Sequence, residues 1–247
     1  MIRYLRFLSG HERNRESNRH LGLTLAFVAG AVNAGGYLAV SQYTSHMTGI
    51  LSSLSDNLAL NRMDLVASGL TAWSSFLVGA ATSAMLINWA RRRKLRSQYA
   101  MSLMLEAALL LAFGLLGANL RQSVGLFVPA TVLLLCYMMG LQNAIITKVS
   151  NAEIRTTHMT GNTTDLGIEL GKLLYWNRDD STPEKVVANR EKLKIHAGLI
   201  GLFVLGGVAG ALGFKHVGYS STIPLAVLLF VIAAVPVWDD LSAGKMS

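Results

Sequence analysis

Apolar and polar positions fall into long blocks along this chain, with little short-period alternation. Leu21–Gln42, Val66–Ala90 and Gln122–Thr147 contain no Asp, Glu, Lys or Arg. Tyr99–Leu120 holds one such residue, Glu106, while Ile195–Phe214 and His216–Trp238 hold none, although the former carries His196. A hydrocarbon core about 30 Å thick takes about 20 mostly apolar residues in a helix, so each of the six blocks predicts a membrane span. Two further segments, Thr44–Leu60 and Thr156–Leu174, mix apolar residues with Ser, Thr, Asn, His and Asp. Each unsatisfied polar group in lipid costs several kcal/mol, so these two are not expected as ordinary lipid-facing crossings. The pattern predicts an all-α polytopic membrane bundle of six spans plus two re-entrant half-helix segments.

Composition supports this reading. Of 247 residues, 52% are hydrophobic and 15% are charged, against about 25% charged in soluble domains. A disordered chain and a coiled coil are excluded, and the single Cys136 excludes a disulfide scaffold. Leu21–Gln42 is longer than the usual signal-peptide core of about 7–15 residues, so it is expected to remain as the first span. The net charge of +8 suggests nucleic acid until the basic residues are placed. They flank the spans, as the positive-inside rule predicts. If all eight segments crossed, 14 Lys and Arg would lie inside and 8 outside; if the two polar segments turn back, the split is 19 inside, with only Arg62, Arg121 and Lys215 outside. The second topology is therefore expected, with both termini cytoplasmic. It divides the chain into a basic N-terminal segment (1–20), one membrane domain (21–238) with a cytoplasmic loop (175–194), and a C-terminus (239–247). Thr182-Pro183-Glu184 predicts a helix start within that loop.

The two polar segments repeat one another. Residues 44–49 read Thr-Ser-His-Met-Thr-Gly and 156–161 read Thr-Thr-His-Met-Thr-Gly; upstream, Gly30-Ala31-Val32-Asn33-Ala34 matches Gly140-Leu141-Gln142-Asn143-Ala144. The repeats span 21–120 and 122–238. Each holds three crossings, an odd number, so the second is expected upside down relative to the first. Inverted repeats with short broken segments at matching positions point to a secondary-transporter site near the midplane.

The half-helices are expected to start at mid-membrane, with Thr160 or Asn162 as N-cap and with the two N-termini converging there. Their unpaired N–H groups and positive dipole ends favour a polar or anionic solute. The candidate substrate-binding residues are Asn33, His46, Thr48, Gly49, Gln142, Asn143, Thr157, His158, Thr160, Gly161, Asn162 and Asp165. The histidines offer proton coupling. Asn33, Gln142 and Asn143 suit bracing of the backbone as well as solute contact. Glu106 reads as a paired or snorkelled structural acid. Gly206 and Gly210 form a small-xxx-small pair for helix packing, and Trp73, Trp89, Tyr99 and Trp238 suit the membrane interface. No catalytic signature appears, no cofactor is called for, and His46 with His158 makes a poor metal site.

Through Gly30-x-x-Asn33-Ala34, His46-Met47-Thr48-Gly49, Gly140-Leu141-Gln142-Asn143-Ala144 and Thr156-Thr157-His158-Met159-Thr160-Gly161-Asn162, the sequence resembles the YoaK family of bacterial inner-membrane proteins, defined by a domain of unknown function. The resemblance covers about residues 20–238 and implies a multi-pass inner-membrane protein. The first copy departs from the second at Ile50, where the second has Asn162. The function expected is a small secondary transporter, not an enzyme; a channel on the same scaffold, or a membrane enzyme or lipid-binding factor, are the alternatives. The expected partners are membrane lipids and a small solute, with a homo-oligomer as a further option, and no nucleic acid.

Overall fold

The computed structural model describes residues 2–11, 13–120, 124–177 and 185–244. Helices are the only regular elements among them. A short α1 (Ile2–Ser9) precedes α2 (Arg15–Val40), α3 (Met47–Ala59), α4 (Met63–Arg92), α5 (Ala100–Leu120), α6 (Val124–Val149), α7 (Met159–Leu174), α8 (Arg190–His216), a 3-10 turn (Gly218–Thr222) and α9 (Ile223–Ser242). Asn14 caps α2 by accepting from the Ser17 N–H, and Asn189 caps α8 by accepting from Glu191 and Lys192. Among the described residues five helices are long and apolar enough to cross a membrane, namely α2, α4, α6 from Pro129, α8, and α9 with its preceding turn; in α5 the apolar stretch is the shorter Ala100–Leu115.

Several helices outrun the apolar blocks. α2 starts at Arg15, α4 ends at Arg92 and α8 starts at Arg190, because long basic side chains let a helix continue past the hydrocarbon edge. The N-terminal segment is helical too: Arg6 forks onto Asp239 at 2.6 and 2.8 Å, and Ser9 Oγ donates to the Ile232 carbonyl, which docks α1 on α9. The helix start read at Thr182-Pro183-Glu184 lies outside the described residues, and residues 185–189 after it are not helical.

The direction of each long helix follows from its contacts. α2 and α8 are parallel, since Leu23, Phe27 and Ala31 face Gly198, Gly206 and Gly210 in that order. α4 and α6 are parallel as well: Ser75 donates to the Leu133 carbonyl, and Lys148 donates to Asn88. α2 and α6 are antiparallel, because Gly36 meets Leu135 while Gln142 donates to the Leu25 carbonyl. α5 and α9 are antiparallel: Asp240 accepts from the Arg96 and Ser97 N–H groups, and Thr222 donates to the Leu110 carbonyl. It follows that α2 and α4 run oppositely, as do α6 and α8. The segment containing α3 therefore leaves and re-enters the bundle at one end, and the segment containing α7 does so at the other.

The two halves use the same joints. A Cβ on Gly30 would lie 2.0 Å from the Phe203 carbonyl oxygen, and one on Gly206 would lie 2.0 Å from that of Phe27. A Cβ on Gly140 would lie 2.0 Å from the Phe76 carbonyl oxygen, and one on Gly79 would lie 2.0 Å from that of Tyr137. Backbone therefore touches backbone across both α2–α8 and α4–α6, which only glycine permits. Gly206 and Gly210 thus pack inside the monomer. The core between these pairs is filled by Leu21, Leu25, Leu103, Leu110, Met138, Met139, Leu141 and Ile145, all without exposure.

Candidate functional site

In each half the chain bends back from the first long helix and is tied to it. Asn33 Oδ1 accepts from the Ser45 N–H at 3.2 Å and from its hydroxyl at 3.0 Å. In the second half, Asn143 Oδ1 accepts from the Thr157 hydroxyl at 2.7 Å, and Asn143 Nδ2 donates to the Met139 carbonyl. Thr44 and Thr156 are buried next to these ties, and neither hydroxyl oxygen has a hydrogen-bond partner. The half-helices then begin at Met47 and Met159, after His46 and His158, with no side chain capping either. The His46 ring lies over Gly49 and the His158 ring over Gly161, so closely that a Cβ at either glycine would fall inside 2.6 Å of a ring nitrogen.

The predicted caps are not used. Thr160 lies inside the first turn of α7, already helical, so its hydroxyl is not at the extended position a cap requires. Asn162 is two residues further on and donates to the Arg155 carbonyl at 2.9 Å. Thr48, like Thr160, is exposed on its helix. Gln142 is fully buried and donates to the Leu25 carbonyl of α2, bracing two long helices.

The two motifs are tied back at different depths and not at one level. The Gln142–Leu25 bond sets Asn143 level with Leu25, and Asn33 lies eight residues beyond it, about 12 Å along the axis. Each half-helix packs along the second long helix of its own half, α3 on α4 and α7 on α8, which holds the two motifs apart. The candidate residues therefore form two separate groups.

The groups differ in chemistry. Around α3, Ile50 is buried with Ala72, Val132 and Cys136, and Gly69 faces Leu54. Around α7 the matching space is polar. Asn162, 4% exposed, lies with its Oδ1 3.3 Å from His196 Nδ1, and His196 Nε2 lies 3.8 Å from Asp165. One turn on, Glu169 is buried and accepts from the Asn189 N–H at 2.6 Å and from Lys172 at 2.8 Å. The Lys172 ammonium, and then the Asn189 N–H, hold its carboxyl below the usual carboxylate range. This cluster opens on a cleft of about 610 Å³ between α2, α7 and α8. Arg15, Arg19, Lys172 and Lys192 line it, together with the acids Glu16, Glu153, Asp165, Glu169 and Glu191. Arg15 is shared between Glu153 and Glu191 at 4.0 and 3.8 Å. Neither Glu169 nor His196 belongs to the repeated motif. The available signal was spacing: Asn162, Asp165 and Glu169 stand three and four residues apart, on one face of a helix.

Two other expectations are corrected. Glu106 is neither snorkelled nor hydrogen-bonded: it is fully buried in α5, and neither carboxyl oxygen has a hydrogen-bond partner, because its side chain faces the core and not the basic run at 91–96. Tyr99 is no interface anchor; it is 8% exposed, with the Arg13 guanidinium over its ring. Trp89 and Trp238 are exposed, as an interface residue must be. Among the described residues no group of three or more His, Cys, Asp and Glu could hold a metal ion.

Comparison with known proteins agrees with this architecture. Residues 21–235 match the family described as Protein of unknown function (DUF1275). The UPF0700 transmembrane protein YoaK of Bacillus subtilis (strain 168) is 27% identical over 161 residues, covering 64% of this chain and 69% of that protein. No solved structure matches. The chain belongs to the DUF1275 family and is an integral, multi-pass membrane protein.

Proposed function

We propose that this DUF1275 member is a secondary transporter of a small polar solute, not an enzyme, seated in the bacterial inner membrane with both termini cytoplasmic. In this reading six helices cross, α3 and α7 are re-entrant, and the halves are inverted repeats. Three features support it. The helices flanking each half-helix run in opposite directions, the basic residues divide 19 to 3 under this topology, and the same glycine joints recur in both halves.

The observation that carries the solute site is the polar cluster of Asn162, His196 and Asp165 opening on the cleft. The repeat itself supplies the control. Ile50 and Ser53 occupy the places of Asn162 and Asp165, and Gly69 that of His196, yet the first half folds the same way. The shared fold therefore tolerates apolar or small residues at these places, and polar groups at membrane depth are by default candidates for a solute path.

Reconstitution in liposomes tests this reading. Saturable uptake of small polar solutes, driven by a proton or sodium gradient, is the expected result. Unitary currents without saturation would make the protein a channel, and absence of flux for every solute under every gradient would overturn the reading.

A further inference from the structure

We propose that the ligand of the α7–α8 cleft is a zwitterion of the amino-acid type, carrying a carboxylate and an ammonium group, and not a simple anion; this rests on the cleft being the solute site. The half-helix ends by themselves favour an anion, but the lining does not. Four basic and five acidic side chains face the same 610 Å³, a size ordinary for a small-molecule site. An anion entering this space meets more acids than bases, and a cation meets four positive side chains. A molecule that carries both charges can satisfy both sets.

Arg19 and Asp165 suit this task. Arg19 lines the cleft, and its guanidinium has no side-chain or backbone partner among the described residues, its Nε being buried without one. A solute carboxylate is the natural acceptor for a guanidinium. Asp165 keeps 57% of its side chain open, and among the described residues its ion-pair partner is His196 at 3.8 Å. It can take an ammonium, with Asn162 and His196 fixing the depth of the ligand. By contrast Arg15 with Glu153 and Glu191, and Lys172 with Glu169, already answer one another. The first half has Ser53 where Asp165 stands, so only one of the two motifs offers the anionic partner.

The test uses purified full-length protein in nanodiscs. Thermal unfolding is followed with glycine, 4-aminobutanoate or 6-aminohexanoate, each against the matching carboxylate and the matching amine. At least one zwitterion is expected to raise the midpoint by about 2–4 °C at saturating concentration, with no shift from either half-molecule. Asp165→Asn and Arg19→Gln should each abolish the shift; Asp165 is exposed, so that variant keeps its fold, and the unliganded melt checks both. A shift from the carboxylates alone, kept in Asp165→Asn, would overturn the zwitterion proposal while leaving a solute site. If no zwitterion, carboxylate or amine shifts the midpoint, both the proposal and the solute-site reading it rests on fall.

Discussion

The α3 and α7 regions are two answers to the same local sequence. Both are short helices that begin after a histidine, sit over a glycine and are tied back to an asparagine of the preceding long helix. Around α3 the space is closed with apolar groups, Ile50 against Ala72, Val132 and Cys136. Around α7 it is lined with Asn162, His196, Asp165 and Glu169 and left open. Because one chain holds both, the difference separates what builds the element from what the element does. The tie and the His–Gly stack build it. The polar face makes bonds of its own, Asn162 to the Arg155 carbonyl and Glu169 to the Asn189 N–H, but the first half folds without its counterpart, and buried polar groups are retained at a cost.

The sharpest way to break the comparison is sidedness, an all-or-none effect. In a Cys136→Ser background, Lys94→Cys should label from the cytoplasmic side and Arg62→Cys from the outer side with an impermeant maleimide. The reverse assignment would mean that the protein sits the other way round, with both termini outside, and the proposed orientation would be lost. Next in size are the joints. Gly30→Ala and Gly140→Ala each place a Cβ 2.0 Å from a carbonyl oxygen, so the helices must part. Each should cost roughly 1–3 kcal/mol or more, measured by unfolding in detergent, and by similar amounts; a mild effect at one and a severe one at the other would show that the halves are not equivalent. The smallest effect comes from exchanging the residue that distinguishes the motifs. Asn162→Ile should lower uptake by about tenfold, the worth of one lost buried hydrogen bond, while Ile50→Asn should leave uptake near its original rate. Equal effects from the two would erase the functional distinction.

The motifs show where sequence reading succeeds and where it stops. Asn33, His46, Asn143 and His158 were legible as a repeated constellation because they recur at matched spacing, and the structure uses the matched pairs alike. The caps were misread, because Thr160 satisfies the cap preference by type, whereas the chain turns two residues earlier. Glu106 was misread for a different reason. Its helix has apolar residues on every side, so no periodicity shows which face turns inward.

By itself the sequence determined the apolar blocks, the charge bias that orients them and the existence of a duplicated motif, since each depends on the identity and order of nearby residues and on the transfer of a side chain from water to lipid. Only the tertiary structure decided that α2 lies along α8 and α4 along α6, that the asparagine ties of the two motifs sit about 12 Å apart in depth, and that α7 opens on a charged cleft. Those outcomes depend on which surfaces 58 to 179 residues apart fit closely enough for backbone to meet backbone, and glycine positions permit such a contact without naming the partner.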